Sequence, residues 1–249
     1  AKVWGKELFS DSGNEFLDGA MEEQLNSLSV VDHFGPKITK VKLSDKVIRS
    51  LKYICFNSST PVNDKLVGLI VEEIDITEQL LANTNVLNTL LGHAEEYMLN
   101  IDSGIWNKVI HEEEPRLPSI MQLDAGWYNN QRAGEHNPPH DHRYSCDVVC
   151  VIFPHIQIDK DNNKFYNVVG KEKQLGQLNF LHGETDKNGF GTKLITIQPE
   201  QGEMYVFPAS LTHYTTPIVG DSIRYSIGCN FSITNLVRKQ HSKLLKEAY

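Results

Sequence analysis

Two kinds of hydrophobic periodicity divide the chain. Between residues 78 and 99, Val86, Leu87, Leu90, Leu91, Ala94, Tyr97 and Met98 recur at offsets of one, three and four. That spacing predicts one helix with a single apolar stripe, packed on a core. Ser44-Asp45 predicts the cap of a shorter helix, with Val47, Ile48 and Leu51 on one face. Residues 1–43 have no strong period. From about residue 118 the pattern changes to short β-prone runs. They are predicted at 120–129, 147–153, 164–169, 175–180, 193–198, 203–207, 212–216 and 224–232, most separated by Gly or Pro. Many short strands with frequent turns point to a sandwich or barrel. Strand-helix alternation is absent, which argues against a doubly wound parallel sheet. The charged tail, 235–249, reads as helical. The chain is thus mainly β with N-terminal helices.

Composition narrows the function more than the fold. A net charge of −8 argues against a general nucleic-acid binder but leaves room for a local basic site. No apolar run reaches the roughly 20 residues of a membrane span. The four cysteines, Cys55, Cys146, Cys150 and Cys229, are too few for a disulfide framework in 249 residues. They read as buried and reduced, and the expected location is a reducing, cytoplasmic compartment. Cys146 and Cys150 lack the second pair that a zinc site would need.

The histidines carry the candidate chemistry. In Glu135-His-Asn-Pro-Pro-His-Asp-His142, His140 and His142 are two apart, so on a strand they share a face. Phe207-Pro-Ala-Ser-Leu-Thr-His213 offers a third imidazole 71 residues later, a separation suited to ligands that meet only in a folded barrel. Three protein ligands leave positions open on a metal, as catalysis requires. His182-Gly-Glu184 is a rival pair, flanked by loop-like glycines. Asp141 points away from the face of His140 and His142 if the segment is extended; a turn after Pro138-Pro139 would instead let it replace His142. Arg224 opens an apolar strand eleven residues after His213. Buried alone it would be costly, whereas a carboxylate ligand would match its planar fork. Ser226 shares its face and adds a hydroxyl. Trp127, Asn129 and Gln131 share one face of the strand before the histidine pair, so Asn129 is placed to bond cosubstrate or substrate. Asn230 lies on the face of Ser226. Tyr205 and Tyr214 are read as packing.

Together these fragments resemble the iron(II)/2-oxoglutarate-dependent oxygenases. The likeness is nearest to an uncharacterised, often phage-borne group with Trp-x-Asn, then Asn-Pro-Pro-His-x-His, then Phe-Pro-Ala-x-Leu-x-His, then Arg-x-Ser-x-x-x-Asn. This chain reads Trp127-Tyr-Asn129, Asn137-Pro-Pro-His140-Asp-His142, Phe207-Pro-Ala-Ser-Leu-Thr-His213 and Arg224-Tyr-Ser226-Ile-Gly-Cys-Asn230. The match covers about 125–232. The resemblance implies a double-stranded β-helix, the jelly-roll barrel, at 116–234. Residues 1–115 would be a helical extension packed on it and 235–249 a helical tail, all one integrated unit. It implies that His140, His142 and His213 hold Fe(II), with Asp141 the alternative for His142. 2-Oxoglutarate would chelate the iron, with its far carboxylate on Arg224, Ser226 and Asn129. O2 and an unidentified primary substrate would complete the reaction, a hydroxylation releasing succinate and CO2. One departure stands out: most of that superfamily has Asp or Glu where this chain has His142. Two other classes stay open, a three-histidine jelly-roll metalloenzyme without 2-oxoglutarate and a non-catalytic ligand- or partner-binding barrel. Arg224 separates the first class from the second, and bound iron separates both enzymes from the third.

Overall fold

The computed structural model describes residues 28–31, 38–61, 68–101, 121–159, 164–166, 172–183 and 192–234. Their core is an eight-stranded antiparallel sheet in the order β1-β2-β11-β6-β13-β5-β4-β3. The strands are β1 (Leu28–Val31), β2 (Ile38–Lys42), β3 (Thr60–Pro61), β4 (Glu73–Asp75), β5 (Met121–Gln131), β6 (Val148–Gln157), β11 (Glu203–Pro208) and β13 (Ile223–Ile233). A smaller sheet, β10-β9-β12, contains β9 (Leu178–Gly183), β10 (Thr192–Ile197) and β12 (Thr212–Thr215). β7 (Lys164–Tyr166) and β8 (Glu172–Gln174) form a separate pair.

Alternation along the large sheet divides the core in two. Val148, Cys150, Ile152, Met204, Val206, Ile227, Cys229 and Phe231 face three helices, α1 (Asp45–Phe56), α2 (Thr77–Ala82) and α3 (Thr84–Ile101). The intervening Val149, Phe153, Tyr205 and Phe207 face Leu178 and Phe180 of the small sheet. Helices thus cover one face of the large sheet, and the barrel interior lies on the other. Period-2 alternation with both faces buried explains why β6 reads as a nearly continuous apolar run.

The C-terminal strands fall close to their predicted places, with one expected run, 175–180, meeting β9 only at 178–180. The N-terminal part is not simply a helical extension. It contributes β1 to β4 to both flanks of the large sheet, with β2 hydrogen-bonded directly to β11. Ser44 caps α1 as the sequence predicts, its hydroxyl accepting from Val47 N at 3.4 Å. The single helix expected at 78–99 is two helices. Asn83 ends α2, and its side-chain oxygen then accepts from Val86 N at 3.2 Å, capping α3. All four cysteines are buried and free. The predicted helical tail, 235–249, lies outside the described residues.

Candidate active site

The three imidazoles meet because the backbone pairs their strands. His140 N donates to His213 O at 3.0 Å and His213 N donates to His140 O at 2.9 Å, a reciprocal antiparallel bridge. Its rings lie 4.4 Å apart between centroids. His142 N donates to Ala209 O at 2.8 Å, which fixes the next alternate residue on the same side. Candidate ligand atoms of His140, His142 and His213 all lie within 4.8 Å of one another. Among the described residues this is the only such cluster.

Hydrogen bonding sets the rings for a cation. His140 Nδ1 lies 2.7 Å from Pro138 O and His213 Nδ1 lies 3.0 Å from Leu211 O. A carbonyl only accepts, so each Nδ1 carries the proton and each Nε2 keeps its lone pair. His142 Nε2 is buried with no hydrogen-bond partner, an orphan that a metal would satisfy. Burial lowers the pKa of His213 to about 3 and of His142 to about 4, with neighbouring imidazoles adding to both shifts. All three rings are neutral near pH 7, as metal ligation requires. The donor set therefore fits an iron(II) ion with three nitrogen ligands and open positions.

Asp141 faces elsewhere. Its carboxylate bonds the Arg143 guanidinium, 2.7 Å to Nη2 and 3.0 Å to Nε, and this pairing holds its pKa below the usual range. The segment is extended enough to send residues 140 and 142 one way and 141 the other. The rival pair is not assembled: His182 is buried on β9 apart from the cluster, and Glu184 lies outside the described residues.

The cluster opens into a cavity of about 210 Å³, lined also by Glu73, Trp127, Asn129, Ser226 and Asn230. Sheet register explains the lining. Ser226 pairs with Asn129 across β13 and β5, and Asn129 pairs with Glu73 across β5 and β4. These three residues form one transverse polar row. In the next row Gly228 pairs with Trp127. Tyr214 also lines the cavity, whereas Tyr205 is buried and donates to Glu203 Oε2 at 2.5 Å.

Arg224, two residues before Ser226 on β13, does not line the cavity itself. It is 1% exposed. Its Nη1 donates to Gly176 O at 2.5 Å and its Nη2 to Gln131 Oε1, while Nε has no partner. The Phe153 ring lies 5.6 Å from the guanidinium carbon. No carboxylate pairs with Arg224 among the described residues, and burial pulls its pKa down to about 9. Gly176, at φ +77°, presents the carbonyl from a left-handed conformation. Two contributors were missed in the sequence. Gln131 was seen only as a face-mate of Asn129, and Glu73 sits in a charged run, Glu72-Glu73-Ile-Asp75, that resembles a solvated surface.

Comparisons agree with this geometry. SnoN, an α-ketoglutarate-dependent epimerase from nogalamycin biosynthesis, is 11% identical, with a TM-score of 0.50 over 79% of this chain and 77% of that one. That likeness defines the architecture as the double-stranded β-helix, or jelly roll. Weaker likenesses include a prolyl-4-hydroxylase from Pseudomonas putida (13% identity, TM-score 0.45, 80% and 93% of the two chains). HygX from Streptomyces hygroscopicus, with nickel and 2-oxoglutarate bound, gives 9% identity and a TM-score of 0.47 over 81% and 84%. No curated protein matches. Residues 125–230 match the model of the family described as "Putative 2OG-Fe(II) oxygenase". Residues 125–230 thus carry the match to a 2OG-Fe(II) oxygenase domain, a family that works with Fe(II) and 2-oxoglutarate.

Proposed function

We propose that the protein hydroxylates a C–H bond of a primary substrate admitted to the cavity, with His140, His142 and His213 as the iron ligands. The orphaned, buried Nε2 of His142 beside two imidazoles with protonated Nδ1 carries this reading. Iron(II) with 2-oxoglutarate and O2 supplies the oxidising equivalents. The chain's own residues bind, orient and exclude water. The carbonyls of Pro138 and Leu211 fix the tautomers of two ligands. Trp127 covers the face of His142, with ring centroids 5.7 Å apart.

Arg224 is the anchor for the distal carboxylate of 2-oxoglutarate, helped by Ser226 and Asn129. A buried guanidinium without a carboxylate is a costly arrangement that a dicarboxylate ligand repairs. Gln131 and Gly176 hold its fork in place meanwhile. This feature favours a 2-oxoglutarate enzyme over a three-histidine enzyme lacking that cosubstrate. We also propose that the N-terminal elements and the barrel work as one unit, in a reducing compartment that suits four buried thiols.

The test is an aerobic incubation with Fe(II) and 2-oxoglutarate, following succinate by NMR. Slow succinate release without primary substrate, absent in His213→Ala and much weakened in Arg224→Ala, is the expected result. Succinate release undiminished in both variants overturns the assignment.

A further inference from the structure

The polar row on the cavity wall continues past the residues that the cosubstrate needs. Glu73 stands at its outer end, directly opposite Asn129 in register, and its carboxylate lines the same cavity as the three imidazoles. It has no ion-pair partner among the described residues. The neighbouring carboxylates are already used. Glu72 takes Arg132 at 3.1 Å, Tyr128 and Asn130, and Glu135 takes the backbone N–H groups of Val71 and Arg132. Asn129 supplies a second observation. It is 3% exposed, and its Oδ1, inside the cavity lining, has no partner. A third acceptor lies alongside: Asn137 Oδ1 and Glu73 Oε1 both crowd the one side of Gly68 where a Cβ would stand.

The oxygens named here all accept. 2-Oxoglutarate also only accepts through its carboxylates, so it cannot satisfy them. Iron(II) and Arg224 would be taken up by the two carboxylates of the cosubstrate, and no cationic side chain among the described residues pairs with Glu73 directly. The missing ligand is a donor bearing positive charge.

We infer that the primary substrate carries a cationic nitrogen group, an ammonium or guanidinium, which Glu73 and Asn129 Oδ1 receive on the cavity wall. The inference rests on the reading of this cavity as the iron and 2-oxoglutarate site. Burial, and next the charge of Glu135, raise the pKa of Glu73; a cation docked against it offsets both effects. Charge-assisted hydrogen bonds are roughly twice as strong as neutral ones, so charge, more than shape, sets the preference.

The test uses full-length protein loaded with Mn(II) in place of iron, and reads paramagnetic relaxation of ligand protons by NMR. 2-Oxoglutarate is titrated first. With it present, n-butylammonium and n-butylguanidinium are compared with 1-pentanol and butyrate. In the wild type the cationic probes are expected to bind about ten-fold more tightly than 1-pentanol. Glu73→Gln should shrink that preference to about two-fold or less, and Glu73→Asp, which keeps the charge, should retain most of it. Equal binding of cationic and neutral probes in the wild type overturns the inference, as does a preference that survives in Glu73→Gln. If Mn(II) fails to relax 2-oxoglutarate protons in the wild type, the reading of the cavity itself fails and the inference falls with it. Relaxed 2-oxoglutarate without a cation preference sinks the inference alone.

Discussion

The indole of Trp127 lies nearly parallel to the imidazole of His142, with 5.7 Å between ring centroids and 16° between planes. The stack exists because residue 228, the cross-strand partner of Trp127, is glycine. A Cβ there would stand 2.5 Å from Trp127 Cζ2 and 2.6 Å from Cε2.

Gly228→Ala should therefore push the indole off His142. Overpacking of this kind costs about 1–3 kcal/mol, which lowers Tm by several degrees in a chain of this size. Metal affinity should fall as well, because His142 loses the ring that fixes its plane. A double-mutant cycle with Trp127→Leu checks the cause: the penalty should largely vanish when the indole is gone. An equal penalty in both backgrounds would place the strain elsewhere.

Metal binding should depend on His142 and not on Asp141. His142→Ala and His213→Ala are expected to lose stoichiometric iron, and Asp141→Asn to keep it, by metal analysis after gel filtration. Ligand linkage adds a second readout. Metal at a hundredfold excess over its Kd stabilises by roughly 2.7 kcal/mol, so a chelator should lower Tm in the wild type and in Asp141→Asn but not in His213→Ala.

Cosubstrate affinity should rank the polar row. Arg224→Ala removes a charged partner, for a loss on the order of 2–5 kcal/mol in 2-oxoglutarate binding. Ser226→Ala removes a neutral donor and should cost about 1 kcal/mol. Calorimetry on Mn(II)-loaded protein measures both. Comparable losses in the two variants would argue against Arg224 as the anchor.

Acid should loosen the contact between β2 and β11. Glu203 is buried yet bonds Lys40, the Tyr205 hydroxyl at 2.5 Å and Glu200 N at 2.8 Å. Burial opposes its charge, but these partners prevail and its pKa is lowered. A carboxylate depressed on folding contributes stability above its unfolded pKa, near 4.3, and loses that contribution as pH falls through the folded value. Glu203→Gln should thus be less stable than the wild type by about 1–3 kcal/mol at pH 7. The gap should narrow below about pH 4, as denaturant titrations across pH would show. A gap that is constant with pH would mean that packing, not charge, is lost.

The barrel strands and the histidine cluster were legible because each rests on local pattern. Alternation in β6 and β13 shows which residues face inward, and the His140-x-His142 spacing carries its geometry with it. What escaped depends on partners far along the chain. β4 is three residues long and becomes a strand only by pairing with β5, so Glu73 could not be distinguished from a solvated acid. β2 offers five residues with lysines among them, and its identity comes from β11. The break at Asn83 was readable in principle: Asn-Thr-Asn at 83–85 contains a capping signal, but the apolar stripe continues past it. Arg224 was legible as a charge opening an apolar strand, yet its bonds to Gly176 and Gln131 join residues 48 and 93 positions away.

The place of β2 between β1 and β11 governs how the chain can be made. Residues 38–42 leave the ribosome long before their partners at 203–206, so during synthesis this strand carries unpaired backbone groups. Closing so long a loop is slow, and open strand edges invite association between chains. The lysines at 40 and 42 put charge along that waiting edge. Charge on an open edge disfavours pairing with another chain, and in the folded protein Lys40 is matched by Glu203.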